Sequence, residues 1–412
     1  MARTRIRRGL DADRISNLPS NVIDNILTLL PLHDAVRTSV LSKGWQYKWV
    51  TVPYLVFDWT FNLSGNYSIE SIIYQVLLLH RGPIVKFKFC GFKFGPDINN
   101  WLYFLSDHRV EELVLMNSVY YPEQWLISHN LFTFDHLMHL FLANVEVRLP
   151  STFKGFRRLL SLDLNGVEFE PEELNMFISK CPMLEYINLN LLTIFYLRHL
   201  EVDAPNLKEI SITCYPIFRR TTSEAGDDDS NMIKVLGQLS SLTKLYCDGG
   251  FLQFLAKGGV PQKLPVNLNS MRYLLLDITD FGFKDQVCSV LCLIRSSPNL
   301  QSLQITSANG SAADMMSTTQ FLRAEQENEI PLCRLDNVTM RGFTCRIPEI
   351  EFLKLLLLAA TVLRRLEIHF AIYLSEVERR KFSQELLSLQ RASSEVEIVF
   401  QHLEDPTTSV AQ

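Results

Sequence analysis

Long apolar runs are missing from this 412-residue chain. The longest, Leu355 to Leu363 with Thr361 inside it, is about half of what a bilayer span requires, so no membrane partner is expected. Cysteine is sparse: Cys90, Cys181, Cys214, Cys247, Cys288, Cys292, Cys333 and Cys345 are scattered without a Cys-x-x-Cys pair. They read as reduced thiols in the core of an intracellular protein. An excess of one charge is lacking too. The net charge is −5, which argues against a general nucleic-acid or membrane-surface binder. Gly and Pro, 17 each, are too few for a collagen-like or low-complexity chain. Phosphate loops, G-x-G-x-x-G and G-x-S-x-G are absent, so no catalytic residue is assigned and no cofactor is expected.

The amino end has no leader-like stretch. Arg3, Arg5, Arg7 and Arg8 are followed by acidic residues rather than an apolar run. That arm reads as a nuclear-import or nucleic-acid patch or, equally, as a frayed tail. The sequons at Asn62, Asn66, Asn309 and Asn337 are expected to stay unmodified. Placement in the nucleus and/or cytoplasm is the expectation.

What the chain does have is leucine, in a composition that is 47% hydrophobic. That is enough for a sizeable core in one to three domains. The sharpest local signal runs from Asp13 to Trp49. Pro19 suits a first helical turn, and Val22, Ile23, Ile26, Leu27 and Leu30 follow at helical spacing. Pro31 stops that helix. Asp34 opens a second, with Ala35, Val36 and Val40 as its apolar positions. A third is expected near Ser42, placing Trp45 and Trp49 one turn apart. Three helices this short cannot bury all of that surface. Leu18, Pro19, Leu27, Leu30, Trp45 and Trp49 call for a partner.

After about residue 84 a unit of the form L-x-x-L-x-L recurs. Its copies are Val110-Leu113-Leu115, Leu137-Leu140-Leu142, Leu159-Leu162-Leu164, Leu184-Ile187-Leu189, Leu207-Ile210-Ile212, Leu242-Leu245-Cys247, Met271-Leu274-Leu276, Leu300-Leu303-Ile305, Leu335-Val338-Met340 and Leu363-Leu366-Ile368. An extra, closely spaced copy is Leu197-Leu200-Val202. Starts lie mostly 22 to 35 residues apart, the mark of a leucine-rich repeat. The last two apolar positions alternate with polar residues, as in a strand. Helices are expected over Pro171 to Lys180, Asp285 to Ser296 and Glu349 to Ala360. Stacked units of this kind give an α/β solenoid, a curved parallel sheet with helices on the outer side. The segments Arg219 to Ser230, with Asp227, Asp228 and Asp229, and Ser307 to Glu329 interrupt the period as insertions, read first as surface loops.

Asp13-Arg14-Ile15-Ser16 with Leu18-Pro19, Ile26-Leu27, Leu30-Pro31, Asp34-Ala35-Val36, Thr38-Ser39, Leu41-Ser42 and Trp45 resemble a plant-type F-box without gaps. Gly44 departs from it, standing where a basic residue is common. The repeats resemble those of plant F-box/FBD/LRR-repeat proteins. Val50 to Asp58 is similar to the family's first strand, and Arg81-Gly82-Pro83-Ile84 with Lys86-Phe87 to the approach to its second. Leu335 to Phe400, including Val338 to Phe343, Arg391 to Ser393 and Val396 to Ile398, resembles the FBD region. The resemblance implies a three-helix F-box at residues 10–58, repeats at 59–334 and an FBD-like cap at 335–402. It implies a non-catalytic substrate-recognition subunit of an SCF-type ubiquitin ligase. A Skp1-like adaptor would bind through Leu18, Pro19, Val22, Ile23, Ile26, Leu27, Leu30, Pro31, Leu41, Trp45 and Trp49. A cullin and a RING protein would complete the assembly, with an unknown protein as substrate and no nucleic acid. The alternative is a scaffold that holds the Skp1-like protein outside any ligase.

Smaller clusters carry weaker signals. His136 and His139, with His129, lack further metal ligands. Asp227 to Asp229 lacks the alternating ligands of a calcium loop. Cys288 and Cys292 read as helix packing beside Val287 and Leu291. Trp101, Trp125 and Phe132 default to the core. Glu111, Glu112, Asp163, Asn188 and Asn190, between the core positions, are the expected recognition residues.

Overall fold

The structure is a computed structural model. It describes residues 15, 18–58, 68–91, 98–117, 125–127, 129–170, 172–191, 199–214, 232–257, 259–308, 315–326, 328, 330 and 332–402. The arginine arm, Asp13, Arg14, Ser16, the acidic loop at Asp227 to Asp229 and Leu197 lie outside the described residues. The chain forms two compact units, residues 1–159 and 160–412.

The first unit opens with α1 (Ser20–Thr28) and α2 (Leu32–Arg37), then 3₁₀ turns at Thr38–Val40 and Lys48–Thr51. The third helix expected near Ser42 is thus a 3₁₀ turn preceded by turns. In this stretch amides bond three residues back, Trp45 to Ser42 and Lys48 to Trp45, and Gly44, in the turns before the 3₁₀ turn, is a poor helix former. The strands β1 (Tyr54–Phe57), β2 (Lys86–Gly91), β3 (Glu112–Asn117) and β5 (His139–Ala143) pair in that order, all parallel. Helices α3 (Ile69–Leu79) and α4 (Ile98–Ser106) connect the first three. Ser68 Oγ accepts from the Ser71 amide and caps α3. A small parallel pair, β4 (Trp125–Ile127) with β6 (Val145–Val147), was not expected from the sequence. Trp101 is buried, its ring 5.3 Å from that of Phe89. Trp125 and Phe132 are half-buried.

The second unit is a run of parallel strands in sequence order: β7 (Ser161–Asn165), β8 (Tyr186–Leu191), β9 (Glu209–Cys214), β10 (Lys244–Asp248), β11 (Tyr273–Thr279), β12 (Ser302–Ser307), β13 (Asn337–Phe343), β14 (Arg365–Phe370) and β15 (Glu397–His402). The helices between them are α5 (Glu173–Ser179), α6 (Met232–Gln238), α7 (Gly249–Leu255), α8 (Lys284–Ser296), α9 (Met315–Glu325), α10 (Ile347–Ala359) and α11 (Glu376–Leu387). The cause is the repeat. Leu162, Ile187, Ile210, Leu245, Leu274, Leu303, Val338 and Leu366 stand in register across the sheet, one per strand, and all are buried. The three apolar positions of each full repeat copy are likewise buried. Single carbonyls bind successive repeats together. Those of Glu185, Lys208, Thr243, Arg272, Gln301 and Asp336 each accept two consecutive amides from the next strand's first residues. Such a shared acceptor satisfies the backbone where a strand begins without a neighbouring turn.

Two expectations change here. Leu200 and Val202 are buried, no strand forms among the described residues 199–208, and β8 pairs directly with β9. Of that copy only Leu200 and Val202 are described, and they are buried in a connection between β8 and β9. The Ser307 to Glu329 insertion carries α9, which packs on α8 and α10. Leu322, Thr318 and Thr319 are buried there, and the side chains of Arg295 and Glu325 form a buried ion pair. Few of those residues are strongly apolar, so the helix gave little sequence signal.

Candidate partner-docking surfaces

In the first unit, α1 presents one stripe inward. Ile23 and Leu27, one turn apart, are buried, as are Leu32 and Ala35 of α2. The 3₁₀ turn packs against α1 and brings Trp49 inside. Trp45 is buried and its Nε1–H donates to the Ile15 carbonyl at 3.1 Å. Lys48 Nζ donates to Ser20 Oγ at 3.0 Å and clips the turn to the start of α1. Asp34 in the first turn of α2 and Arg37 in its last complement the helix dipole.

Of the residues expected to meet a partner, Ile23, Leu27, Trp45 and Trp49 therefore lie inside the chain's own fold. The 3₁₀ turn and β1 supply the cover that three isolated helices would lack. Leu18, Ile26 and Leu30 are half-buried, and Pro19, Val22, Pro31 and Leu41 are exposed. Sequence reasoning did not single out Leu29 and read Val40 only as an apolar position of the second helix, yet these are the most exposed large apolar side chains, at 85% and 87%. Ile15 and Tyr47 are exposed as well. Leu29 caps the end of α1 and Val40 ends a 3₁₀ turn, where a helical wheel no longer says which way a side chain faces. These large apolar side chains are left in water on one small domain.

In the second unit, the strand face turned away from the helices is polar. Asn188 Nδ2 donates to Asp163 Oδ1 at 3.0 Å. Burial raises the Asp163 carboxyl above its ordinary range, and the Asn188 bond offsets part of that. Tyr186 lies near the charges of both Asp163 and Glu209, and its phenol, already raised by burial, is raised further by them. The Tyr246 hydroxyl donates to Asp277 Oδ2 at 2.9 Å. Asp163, Asn188 and Asn190, expected as recognition residues, stand on this face; Glu111 and Glu112, in the first unit, are half-buried. Tyr186, Tyr246 and Asp277 were not anticipated, because their partners lie in neighbouring repeats, Asp277 being 31 residues beyond Tyr246.

Burial pushes the Cys292 thiol up to about 11 and Cys345 up to about 12, and raises Cys214 and Cys247 too. Such thiols stay protonated. Cys292 is buried and Cys288 half-buried. His136 Nδ1 lies 3.2 Å from Arg158 Nη1, while His129 and His139 are exposed. Among the described residues no three His, Cys, Asp or Glu side chains converge, and no helix is long and apolar enough to cross a membrane.

Comparison with known proteins agrees with this architecture. The F-box domain family matches residues 15–56. A family described as "FBD-associated F-box protein At5g56370, LRR repeats" matches residues 98–305. The F-box/FBD/LRR-repeat protein At1g13570 of Arabidopsis thaliana is 31% identical over 420 aligned residues, covering 95% of this chain and 99% of that protein. The F-box/LRR-repeat protein At3g26922 of the same plant is 30% identical over 213 residues, covering 50% of this chain and 68% of that protein. The chain belongs to the F-box/FBD/LRR-repeat family.

Proposed function

We propose that this chain is the substrate-recognition subunit of an SCF-type ubiquitin ligase. Its F-box, residues 10–58, docks a Skp1-like protein, and through it a cullin and a RING protein. The repeats at 59–334 and the FBD-like region at 335–402 hold a target protein. Transfer chemistry belongs to the ubiquitin-conjugating enzyme that the RING protein binds. This chain contributes proximity, raising the effective concentration of the target's lysines. The observation that carries the reading is the set of large apolar side chains the F-box leaves exposed, Leu29 and Val40 foremost. Such work belongs in the nucleus and/or cytoplasm, which a fluorescent fusion would check.

The test is capture of a recombinant Skp1-like protein by the purified chain, followed by reconstituted ubiquitin transfer. Leu18→Ala with Pro19→Ala should weaken capture by a few kcal/mol, as truncating anchors does. Unchanged capture in that double variant refutes the docking. Proteins that accumulate when the chain is depleted support a ligase, and unchanged protein levels favour a scaffold.

A further inference from the structure

The proposal above leaves the target's chemistry open, and the strand faces of the second unit narrow it. Parallel pairing puts corresponding positions of successive strands side by side. Ser161, Tyr186, Glu209, Lys244 and Tyr273 form one row across β7 to β11, and Asp163, Asn188, Ser211, Tyr246 and Leu275 form the next. Asp277 stands beyond them, opposite Asp248. Lys244, the one cation among the described residues of these two rows, is tied to Glu209 at 3.3 Å. Asp163 and Asp277 have no cation within ion-pair distance among the described residues; each accepts from a neutral neighbour, Asn188 or Tyr246. The contrast lies further along the same sheet, where Glu367 on β14 is already paired with Arg365.

Resting on the reading of this face as the target-binding surface, we infer that it takes an extended peptide segment carrying two arginine or lysine side chains. One cation meets Asp163, the other meets Asp277, and the segment crosses Tyr186 and Tyr246 between them. Charge complementarity commits the occupant to a cationic segment. The tyrosines add to it, because a ring face attracts a guanidinium or ammonium group. Half-burial of Asp163 keeps its neighbourhood less screened than open surface. Strands lie about 4.8 Å apart, so the four steps from β7 to β11 span roughly 19 Å, about six residues of extended chain. Residues i and i+6 of a strand face the same way, so the recognised spacing is Arg-x5-Arg or its lysine equivalent.

The experiment measures fluorescence anisotropy of labelled peptides on the purified full chain. One peptide carries two arginines six residues apart in a Gly/Ser/Ala background. A second has glutamates in their place, and a third has the arginines adjacent. The spaced arginine peptide should bind at least about tenfold tighter than the other two, less so at high salt. Asp163→Asn and Asp277→Asn should each weaken it roughly tenfold, with circular dichroism unchanged. Equal affinity for arginine and glutamate peptides, or affinity unaltered when Asp163→Asn and Asp277→Asn are combined, overturns the inference. Because this readout does not use the F-box, retained capture of a Skp1-like protein together with no arginine preference overturns this inference alone.

Discussion

Leu29→Ala with Val40→Ala separates docking from folding. Fully burying a leucine or valine side chain is worth about 1.5–3 kcal/mol. Leu29 and Val40 are 85% and 87% exposed in the chain alone, so nearly all of that gain is still available to a partner. Alanine keeps the β-carbon, and each truncation then forfeits about 1–2 kcal/mol of binding. Together they should cost about 2–4 kcal/mol, or roughly 30- to 1,000-fold in Kd for a Skp1-like protein. The same side chains touch little in the free chain, so stability should move by no more than about 0.5 kcal/mol. The inward stripe should behave oppositely. Leu27→Ala removes a fully buried side chain and should cost about 2–5 kcal/mol of stability. Calorimetric titration with the Skp1-like protein and urea melts of each variant read the two quantities separately. A Kd within about twofold of the parent for the double variant would refute the reasoning, since the exposed residues would then lie outside the interface.

Three further outcomes follow from the second unit. Glu349 is buried and accepts from the Thr344 amide, the Thr344 hydroxyl, the Arg346 amide and Ser307 Oγ. Burial raises its carboxyl above the ordinary 4.5 despite those bonds. The folded form then holds its proton to higher pH than the unfolded one, so its stabilisation is full below pH 4.5 and lost as pH rises through the folded value. Glu349→Gln should remove that component from the pH profile of the urea midpoint; superimposable profiles would contradict it. A β-carbon at Gly250 would sit 2.4 Å from the Cys214 carbonyl oxygen, whereas one at Gly237 would meet Val266 at 3.8 Å. Gly250→Ala should lower stability by about 1–3 kcal/mol, and Gly237→Ala in α6 should raise it by about 0.5–1 kcal/mol, both read by thermal melting. Arg295→Met strands the buried Glu325 carboxylate, which also accepts from Asn328 at 3.0 Å. It should cost about 3–5 kcal/mol, while Arg295→Met with Glu325→Leu should recover most of that in the same melts.

How legible the molecule was in its sequence depends on how far apart the deciding residues lie. The repeats were readable because each strand decides locally. Leu162, Asp163 and Leu164 alternate within three residues, and the period-two rule sends the leucines inward wherever the strand sits. The F-box was readable as a motif but not as a surface. The spacing of Ile23 and Leu27 fixes a stripe on α1 without saying whether that stripe meets a partner or the chain itself. The 3₁₀ turn that carries Trp49, more than twenty residues later, settles it by packing on α1. The same covering turns Trp45 into a core residue that anchors Ile15 and hands the outward role to Leu29 and Val40. On the sheet face, Asp277 gains meaning only beside Tyr246 from the preceding repeat, a register set by an intervening helix and loop of unpredictable length. Position within a repeat is therefore local information, while adjacency between repeats belongs to the fold. The recognition surface proposed here, assembled from several strands, falls on the side that sequence spacing does not reach.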